Sequence, residues 1–505
     1  MGRHLRQYPL FVLVLMIGAL AMLIPAGHAA RQGNSQVTVV FLQMSALVLA
    51  FSFIVGLSMM NRTPRNAARS NLVTLVLSFT VLPAFLALPM AELVPSISFF
   101  HAYFEMLSSL TTTGATLFDD PNRIAESLHL WRALVAWLGG FLIILAAMTI
   151  MEPLNIGGFE LRSMMNENAS KIGRRTGGSH DGGEKIIGFV KLLAPAYGLF
   201  TAVLAAGLIF DGERVFIAVI HAMSVISTSG ISPIGGLEKA NSGYLGEVFV
   251  ALFLLVAISS KNMILIQGRA NIASIPKDPE YRLMAIFVLG VPLILFFRHW
   301  FAALDVNAGQ DFMAGIHAFW GAVFTVLSFL TTTGFVSADW QASQSWSGLP
   351  TPGIILFGLA VMGGGIATTA GGVKLLRIYS LYKHGLREME RLVHPSSIGR
   401  SGLENRRFRR QGAEIAWIFL MIFLLGIALF TALLSLTGIN FAKSLSLAIA
   451  GLSNTGPILS VLGDPFASYA KLSDSALAIL SAAMILGRLE ALALIALFNP
   501  DYWRQ

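Results

Sequence analysis

Four short strings that each end in glycine recur along this chain at nearly regular intervals. They are SSLTTTG, ending at Gly114, VISTSG, ending at Gly230, SFLTTTG, ending at Gly334, and GLSNTG, ending at Gly456. Their glycines are 116, 104 and 122 residues apart, a near-constant period that indicates a fourfold internal repeat. Any fold of this chain therefore has to place four similar units around a common feature.

The surroundings of the strings predict an ion filter. Each string follows roughly one short apolar helix and is flanked by longer apolar runs. Glycine frees the backbone, and small hydroxyl residues beside it can stabilise a turned chain whose carbonyl oxygens face a dehydrated cation. A ring of neutral oxygens suits a monovalent alkali cation better than Mg²⁺ or Ca²⁺. The predicted filter residues are Thr112, Thr113, Gly114, Thr228, Ser229, Gly230, Thr332, Thr333, Gly334, Asn454, Thr455 and Gly456.

The composition places the chain in a membrane. Hydrophobic residues make up 55% of the 505 residues and charged residues only 12%, about half the usual charge of a globular protein. Two apolar runs precede the first string, and two more flank each string. Half-length segments are tolerated at membrane depth only beside protein or water. We predict an all-α polytopic membrane protein with ten transmembrane helices and four re-entrant pore loops in a pseudo-fourfold, channel-like arrangement.

The repeats divide the chain into five predicted segments. A two-helix N-terminal domain (1–66) precedes pore repeats at 67–160, 161–276, 277–395 and 396–505. The opening MGRHLRQ, the apolar run and AGHAA also resemble a cleaved signal peptide. A second apolar span follows almost at once, which favours a retained helix.

Basic residues are distributed unevenly between the two predicted sides of the membrane. The segments assigned to the cytoplasmic side carry 26 of the 35 lysines and arginines. By the positive-inside rule, both termini are cytoplasmic and the filter opens outward. Topology therefore accounts for the net charge of +8, with membrane lipid rather than nucleic acid as the contact. The absence of cysteine excludes disulfides, thiolate metal sites and cysteine nucleophiles.

The second apolar run of the third repeat contains GGGIATTAGG at 363–372. Each glycine inside a helix costs ~1 kcal/mol relative to alanine, so five within ten residues should break the helix. We interpret this segment as an intramembrane loop that blocks the pore beneath the filter. Close packing of small residues between helices is the alternative. The predicted gate residues are Gly363, Gly364, Gly365, Thr368, Thr369, Gly371, Gly372 and Arg488.

Arg488 lies deep in an apolar run, where an unpaired charge costs at least ~2.5–3.5 kcal/mol. Glu490 is two residues further on and does not share its helix face. We predict that Arg488 faces the pore near the glycine loop and adds an electrostatic barrier. A structural ion pair with another buried acid is the alternative.

Three histidines precede strings but do not share a register. His101, His221 and His317 stand 13, 9 and 17 residues before their glycines. We therefore predict structural roles for them rather than a common layer.

These features resemble the Trk/Ktr/HKT family of potassium transporters, and within it the Trk branch. The resemblance covers essentially the whole chain and includes WRALVAWLGG (131–140), GGGIATTAGGVKLLRIYSLYKH (363–384), LVHP (392–395) and MILGRLEALALIALFNPDYW (484–503). It implies a pseudo-fourfold K⁺ pore, and Gly114 favours K⁺ because serine there is associated with Na⁺ permeation in the family. It also implies a homodimer in the bacterial inner membrane and a cytosolic nucleotide-binding regulatory subunit.

Two transport functions fit these observations. The first is K⁺ uptake through a gated, channel-like pathway, in which K⁺ is the transported ion and this chain binds no nucleotide. The second is K⁺ symport coupled to H⁺ or Na⁺, which would ordinarily need an intramembrane carboxylate; Glu490 and Glu105 are the few candidates. No nucleophile–base set, metal cluster or phosphate loop is visible, so an enzyme is not predicted. Segments 152–186 and 384–412 are the expected docking surfaces of the regulatory subunit.

Overall fold

The computed structural model describes residues 9–59, 67–151, 182–258, 278–303, 312–347, 353–366, 368–394, 403–462 and 468–490. Within these ranges all regular structure is helical. The predicted segment boundaries at 66, 160, 276 and 395 lie outside the described residues, so the division into five segments stays a prediction.

The helices follow the order of the predicted repeats. In chain order they are α1 (Leu10–Ala21), α2 (Leu23–Arg31), α3 (Ser35–Met59), α4 (Ala67–Thr80), α5 (Leu82–Leu86), α6 (Leu88–Leu93), α7 (Phe99–Leu110), α8 (Glu126–Ala146), α9 (Gly182–Phe210), α10 (Val215–Ser227), α11 (Gly243–Leu254), α12 (Pro279–Ala303), α13 (Phe312–Leu330), α14 (Trp340–Ser347), α15 (Gly353–Met362), α16 (Leu375–Val393), α17 (Leu403–Leu436), α18 (Phe441–Leu452) and α19 (Asp474–Leu489).

Eight helical stretches of the described residues are long and apolar enough to cross a membrane. Seven of them lie in the apolar runs that precede or flank the strings, beginning with Leu10–Arg31 and Ser35–Met59. The eighth, Met313–Leu330, belongs to α13, the helix before the third string. The chain is an all-helical polytopic membrane protein, and the count of ten spans stays a prediction.

The helices that lead into the strings are α7, α10, α13 and α18, and we call them the pore helices. Three of them have the expected short length of 12, 13 and 12 residues. The prediction of a short helix is wrong for α13, which has 19 residues. The additional residues lie at its start, which comes 22 residues before Gly334, whereas each of the other three pore helices begins 15 residues before its glycine.

The pore helices lie at the centre and the first spans lie outside them. Apolar side chains on the outer helices are exposed, including Ile294 on α12 and Leu425 on α17, each at 69%. Such a surface fits contact with lipid tails. The N-terminal hairpin of α1 to α3 packs on the first repeat, where the ring of Phe41 contacts that of Trp131 at 6.0 Å between centroids.

Candidate ion filter and gate

All four pore helices end in the same backbone geometry. The residue two positions before each glycine has a left-handed conformation, with φ of 52°, 53°, 58° and 53°. The next backbone N–H donates to the carbonyl five residues earlier at 2.8–2.9 Å, which is the main bond of a Schellman cap. Because this cap turns the chain sharply out of the helix, each string begins at the helix end. The left-handed residues are Thr112, Thr228, Thr332 and Asn454.

Residues other than glycine therefore also adopt the left-handed backbone conformation in the strings. A left-handed conformation costs an L-residue roughly 1–2 kcal/mol, and asparagine adopts it more readily than threonine. This accounts for Asn454 at the least uniform position of the strings. Gly114, Gly230 and Gly334 also have positive φ, as predicted, but Gly456 does not. The expectation that glycine is needed for its backbone conformation is thus wrong at Gly456, where close packing against the first string requires it instead.

Neighbouring strings contact one another, and Pro457, which directly follows the fourth string, also contacts the second, since a Cβ on Gly230 would lie 2.8 Å from its Cγ. A Cβ on Gly114 would lie 1.9 Å from the carbonyl oxygen of Ser229 in the second string, and one on Gly230 would lie 2.2 Å from that of Thr333 in the third. The third string reaches the fourth, since a Cβ on Gly334 would lie 2.9 Å from Cβ of Pro457.

The fourth string closes the ring. The backbone N–H of Gly456 donates to the carbonyl oxygen of Thr113 in the first string at 2.6 Å. A Cβ on Gly456 would lie 2.3 Å from the backbone nitrogen of Ala115. Glycine is required at these positions because any side chain would push neighbouring strings apart.

A hydroxyl pair fixes each string internally. In every repeat the side-chain oxygen three positions before the glycine lies 2.8–3.1 Å from the side-chain oxygen one position before it. These side chains are at most 1% exposed, so their hydroxyls are satisfied within the string. The pairs are Thr111 with Thr113, Ser227 with Ser229, Thr331 with Thr333 and Ser453 with Thr455.

The electrostatics of the ring favour a cation. Four helix C-termini converge on it, and each carries a partial charge of roughly −0.5 from its unpaired carbonyl groups. The strings themselves contain no acidic residue, and the described residues hold no group of three or more His, Cys, Asp or Glu side chains suited to a metal. The site therefore offers neutral oxygens, which suits a singly charged ion.

The glycine-rich segment interrupts the second span of the third repeat, as its glycine content predicts. Helix α15 ends at Met362, and α16 begins at Leu375. Among the residues between them, Gly363 and Gly372 have φ of 71° and 74°. A Cβ on Gly363 would lie 2.1 Å from the carbonyl oxygen of Gly371, so the two ends of this loop cross in contact. We call residues 363–374 the glycine loop.

The glycine loop lies against three of the four strings. The backbone N–H of Gly371 donates to the Thr332 hydroxyl of the third string at 2.8 Å. The Thr369 hydroxyl donates to the carbonyl of Ile226, near the end of the second pore helix, at 3.2 Å. A Cβ on Gly371 would lie 2.0 Å from the carbonyl oxygen of Ser453 in the fourth string. The loop thus covers one end of the ring.

Arg488 is placed beside the glycine loop, as predicted. Its Nη1 donates to the Thr369 carbonyl at 2.6 Å, and its side chain is 3% exposed. Glu490, which has φ of 54°, pairs instead with Arg377 at 2.7 Å. Among the described residues no acid lies within ion-pair distance of Arg488, which disfavours the alternative of a structural ion pair.

Sequence reasoning missed other charged residues around the glycine loop. Lys374 has φ of 83°, and its Nζ donates to the carbonyl of Ala370. Glu280 accepts the backbone N–H of Ile366 at 3.0 Å. Both side chains are buried and lie far apart in sequence, so a pattern search centred on single spans does not connect them.

The three histidines occupy unrelated sites. His221 is fully buried on α10, and its Nε2 lies 2.9 Å from the Ser232 hydroxyl. His101 pairs with Asp474 at 2.8 Å, and His317 lies 3.1 Å from a carboxylate oxygen of Asp339. They do not form a common layer, in agreement with their different offsets.

Four pore helices whose capped C-termini close one ring define a four-repeat membrane protein of the cation-transport class. The model of the TrkH family, described as cation transport protein, matches residues 38–504. The chain belongs to this family.

Curated relatives and a crystal structure give the same assignment. The "Trk system potassium uptake protein TrkH" of Salmonella typhimurium is 30% identical over 449 residues, covering 87% of this chain and 86% of the relative. The protein of that name in Halomonas elongata is 30% identical and covers 91% and 92%. The crystal structure of the potassium transporter TrkH from Vibrio parahaemolyticus aligns with a TM-score of 0.78 at 26% identity, covering 99% of this chain and all of the other.

Proposed function

We propose that this chain mediates K⁺ uptake across the bacterial inner membrane, with both termini in the cytoplasm. The observation that carries the proposal is the closed ring of four strings at four helix C-termini. Its oxygens can replace the hydration shell of a singly charged cation, and the helix ends stabilise the charge. The relatives' names, which state potassium uptake, support K⁺ as the ion. The twelve predicted filter residues form this ring in the proposal.

The glycine loop is the gate in this proposal. It touches three strings, so a cation leaving the ring meets the loop first. Arg488 adds a positive charge at the same level through its bond to Thr369. A fixed positive charge near a narrow path raises the energy of a cation there. Opening then requires the loop to leave the strings and Arg488 to lose its carbonyl partner.

Coupling to H⁺ or Na⁺ is disfavoured by the state of the two candidate carboxylates. Glu105 pairs with Arg132 at 3.0 Å, and Glu490 pairs with Arg377 at 2.7 Å. Each carboxylate is thus already paired with a guanidinium inside the protein, so neither is free to bind a coupling cation. The proposed transport therefore runs down the electrochemical gradient of K⁺ itself.

Regulation comes from outside this chain in the proposal. A cytosolic nucleotide-binding subunit docks on segments 152–186 and 384–412 of a homodimer, and this chain carries no enzymatic site. The described part of α16 supports such docking, because Leu392 and Val393 near its end are 84% and 70% exposed. Residues 152–181 and 395–402 of these segments lie outside the described residues.

Purified protein in liposomes tests the proposed function. We expect ⁸⁶Rb⁺ or K⁺ flux that follows the K⁺ gradient and does not change when a pH or Na⁺ gradient is imposed. Expression in a strain without K⁺ uptake should restore growth at low K⁺. Flux that requires a proton gradient would establish the symport alternative, and no flux or rescue despite membrane insertion would refute K⁺ uptake.

A further inference from the structure

Three pore helices carry a polar residue nine positions before their filter glycine. These residues are Glu105, His221 and Thr325, and all are fully buried. Each contacts the backbone or side chain two or three residues beyond its own glycine, where the chain leaves the ring. We call this set the exit clamp.

The contacts are equivalent in position and different in chemistry. Glu105 Oε1 accepts the Thr116 hydroxyl at 2.9 Å and also accepts the backbone N–H of Leu117. In the second repeat, Nε2 of His221 lies 2.9 Å from the Ser232 hydroxyl.

The third repeat uses a neutral hydroxyl and the fourth uses none at this register. Thr325 Oγ1 accepts the backbone N–H of Ser337 at 3.3 Å. The corresponding residue of the fourth repeat is Leu447, which has no hydrogen-bonding side chain. There the Tyr469 hydroxyl donates directly to the carbonyl of Gly456 at 2.8 Å. Every string is thus held at its exit, and the third is held additionally by the buried Glu247, whose carboxylate accepts the Ser337 hydroxyl and the Ala338 N–H, both at 2.8 Å.

Among the three residues of the exit clamp, Glu105 makes the strongest hydrogen bonds. A buried carboxylate is costly unless it is paired, and Arg132 lies 3.0 Å from its Oε2, itself only 4% exposed. The pairing leaves Oε1 as the acceptor for the exit of the first string. Hydrogen bonds to a charged acceptor are roughly twice as strong as neutral ones.

We propose that the exit clamp sets ion discrimination and that Glu105 is its principal positioning residue. The inference rests on the proposed function of the ring as a K⁺ filter. Discrimination between alkali cations depends on how far the ring can contract around the smaller ion. Glycine gives each string its freedom to move, and the clamp restrains the chain two or three residues away. Release of the clamp lets the ring close around Na⁺.

The test compares Glu105→Gln with Glu213→Gln. Glu213 is a matched control because it is also a buried glutamate, 4% exposed, that accepts the backbone N–H groups of Arg214 and Asn241 at 3.0 and 2.8 Å. The backbone N–H groups that donate to Glu213 do not belong to the exit of a string. We expect the K⁺/Na⁺ permeability ratio in liposomes to fall about tenfold in Glu105→Gln, equivalent to ~1.4 kcal/mol, and to stay at the wild-type value in Glu213→Gln.

A second variant covers the case in which Glu105→Gln does not fold. Thr325→Val keeps the shape of the side chain and removes only the neutral acceptor for Ser337. We expect a smaller fall in the ratio, with a folded and transporting protein. A wild-type ratio in every folded variant of Glu105 and Thr325, whatever their transport rate, would overturn the inference and leave the proposed function intact. A wild type without K⁺ preference would overturn both.

Discussion

In the first and fourth repeats the second span is helical where it passes the end of its pore helix, in α8 (Glu126–Ala146) and α19 (Asp474–Leu489), whereas that of the third is broken by the glycine loop. In α8 and α19 a single glycine lies against the last carbonyl of the pore helix. A Cβ on Gly139 would lie 2.0 Å from the oxygen of Leu110, and one on Gly487 would lie 2.2 Å from that of Leu452. In the first and fourth repeats, one glycine lets the second span pack closely against the end of the pore helix. In the third repeat, the whole glycine loop occupies this position.

In the proposed gating role of the glycine loop, this difference separates a fixed support from a movable one. The neck of the glycine loop is closed by bonds from the N–H groups of Val373 and Lys374 to the carbonyls of Val361 and Met362, both at 2.9 Å. In the proposed gate the loop moves while these bonds keep α15 and α16 joined. A shift of Gly139 or Gly487 would instead move a whole span.

The largest expected effect is on the fixed supports. We expect Gly139→Ala and Gly487→Ala to destabilise the protein by at least about 1–3 kcal/mol, because the new methyl meets rigid backbone. The measurement is the melting temperature of the protein in detergent. Gly198→Ala is the control, since a Cβ at this position in α9 meets nothing within 4 Å. Equal melting temperatures for Gly487→Ala and Gly198→Ala would break the comparison.

The next effect is on the movable loop. Gly371→Ala places a methyl 2.0 Å from the carbonyl oxygen of Ser453 and should push the loop from the strings. We expect K⁺ leak without the regulatory subunit to rise about tenfold to a hundredfold, for a shift of ~1–3 kcal/mol in the closed state. Liposome flux measures it, with Gly385→Ala on α16 as control because its Cβ has open space. A reduced leak would show that the loop does not close the pore.

Arg488 should have a smaller effect than the loop, since it acts through one contact and its charge. We expect Arg488→Ala to raise K⁺ flux about tenfold, the result of removing ~1.4 kcal/mol from the barrier. Arg488→Lys retains the charge and should stay nearer to wild type. Unchanged flux in Arg488→Ala would refute the electrostatic barrier.

The smallest effect compares two equivalent positions in the ring. Thr332→Val removes the acceptor of the Gly371 N–H, which is worth ~1 kcal/mol, so leak should rise about fivefold. Thr112 is the equivalent residue of the first string, and its hydroxyl has no hydrogen-bond partner among the described residues. Thr112→Val should therefore raise leak less. An equal increase in K⁺ leak in Thr332→Val and Thr112→Val would show that the contact between Thr332 and the glycine loop does not stabilise the closed state.

The sequence predicted the features that depend on composition and spacing. The period of the strings predicted a repeated unit, and the glycine content of 363–372 predicted a helix break. For Arg488 it predicted a polar neighbour, because a lone charge in an apolar run needs one, and the Thr369 carbonyl is that neighbour; that Arg488 faces the pore stays a prediction. Each of these features can be recognised within a single segment of the sequence, without knowledge of tertiary contacts.

Other features depend on which segments meet, and the sequence alone did not reveal them. Glu105, His221, Thr325 and Leu447 share one register but no chemical character, so the exit clamp is visible only once their partners are placed. His221 shares its offset with Glu105 and Thr325 and not with the other histidines, so a comparison among histidines does not reveal the register. The left-handed threonines were missed for a related reason, since threonine is not a residue expected at that conformation.

The closure of the ring between Gly456 and Thr113 has a consequence for biosynthesis. These residues are 343 positions apart, so at about 5–20 residues per second the first string waits roughly 20 to 70 s for its last neighbour to be translated. Until then three strings stand in the membrane with an open side. A nascent chain therefore has no closed ring before its fourth repeat has been inserted, and premature termination leaves an open ring rather than a smaller one.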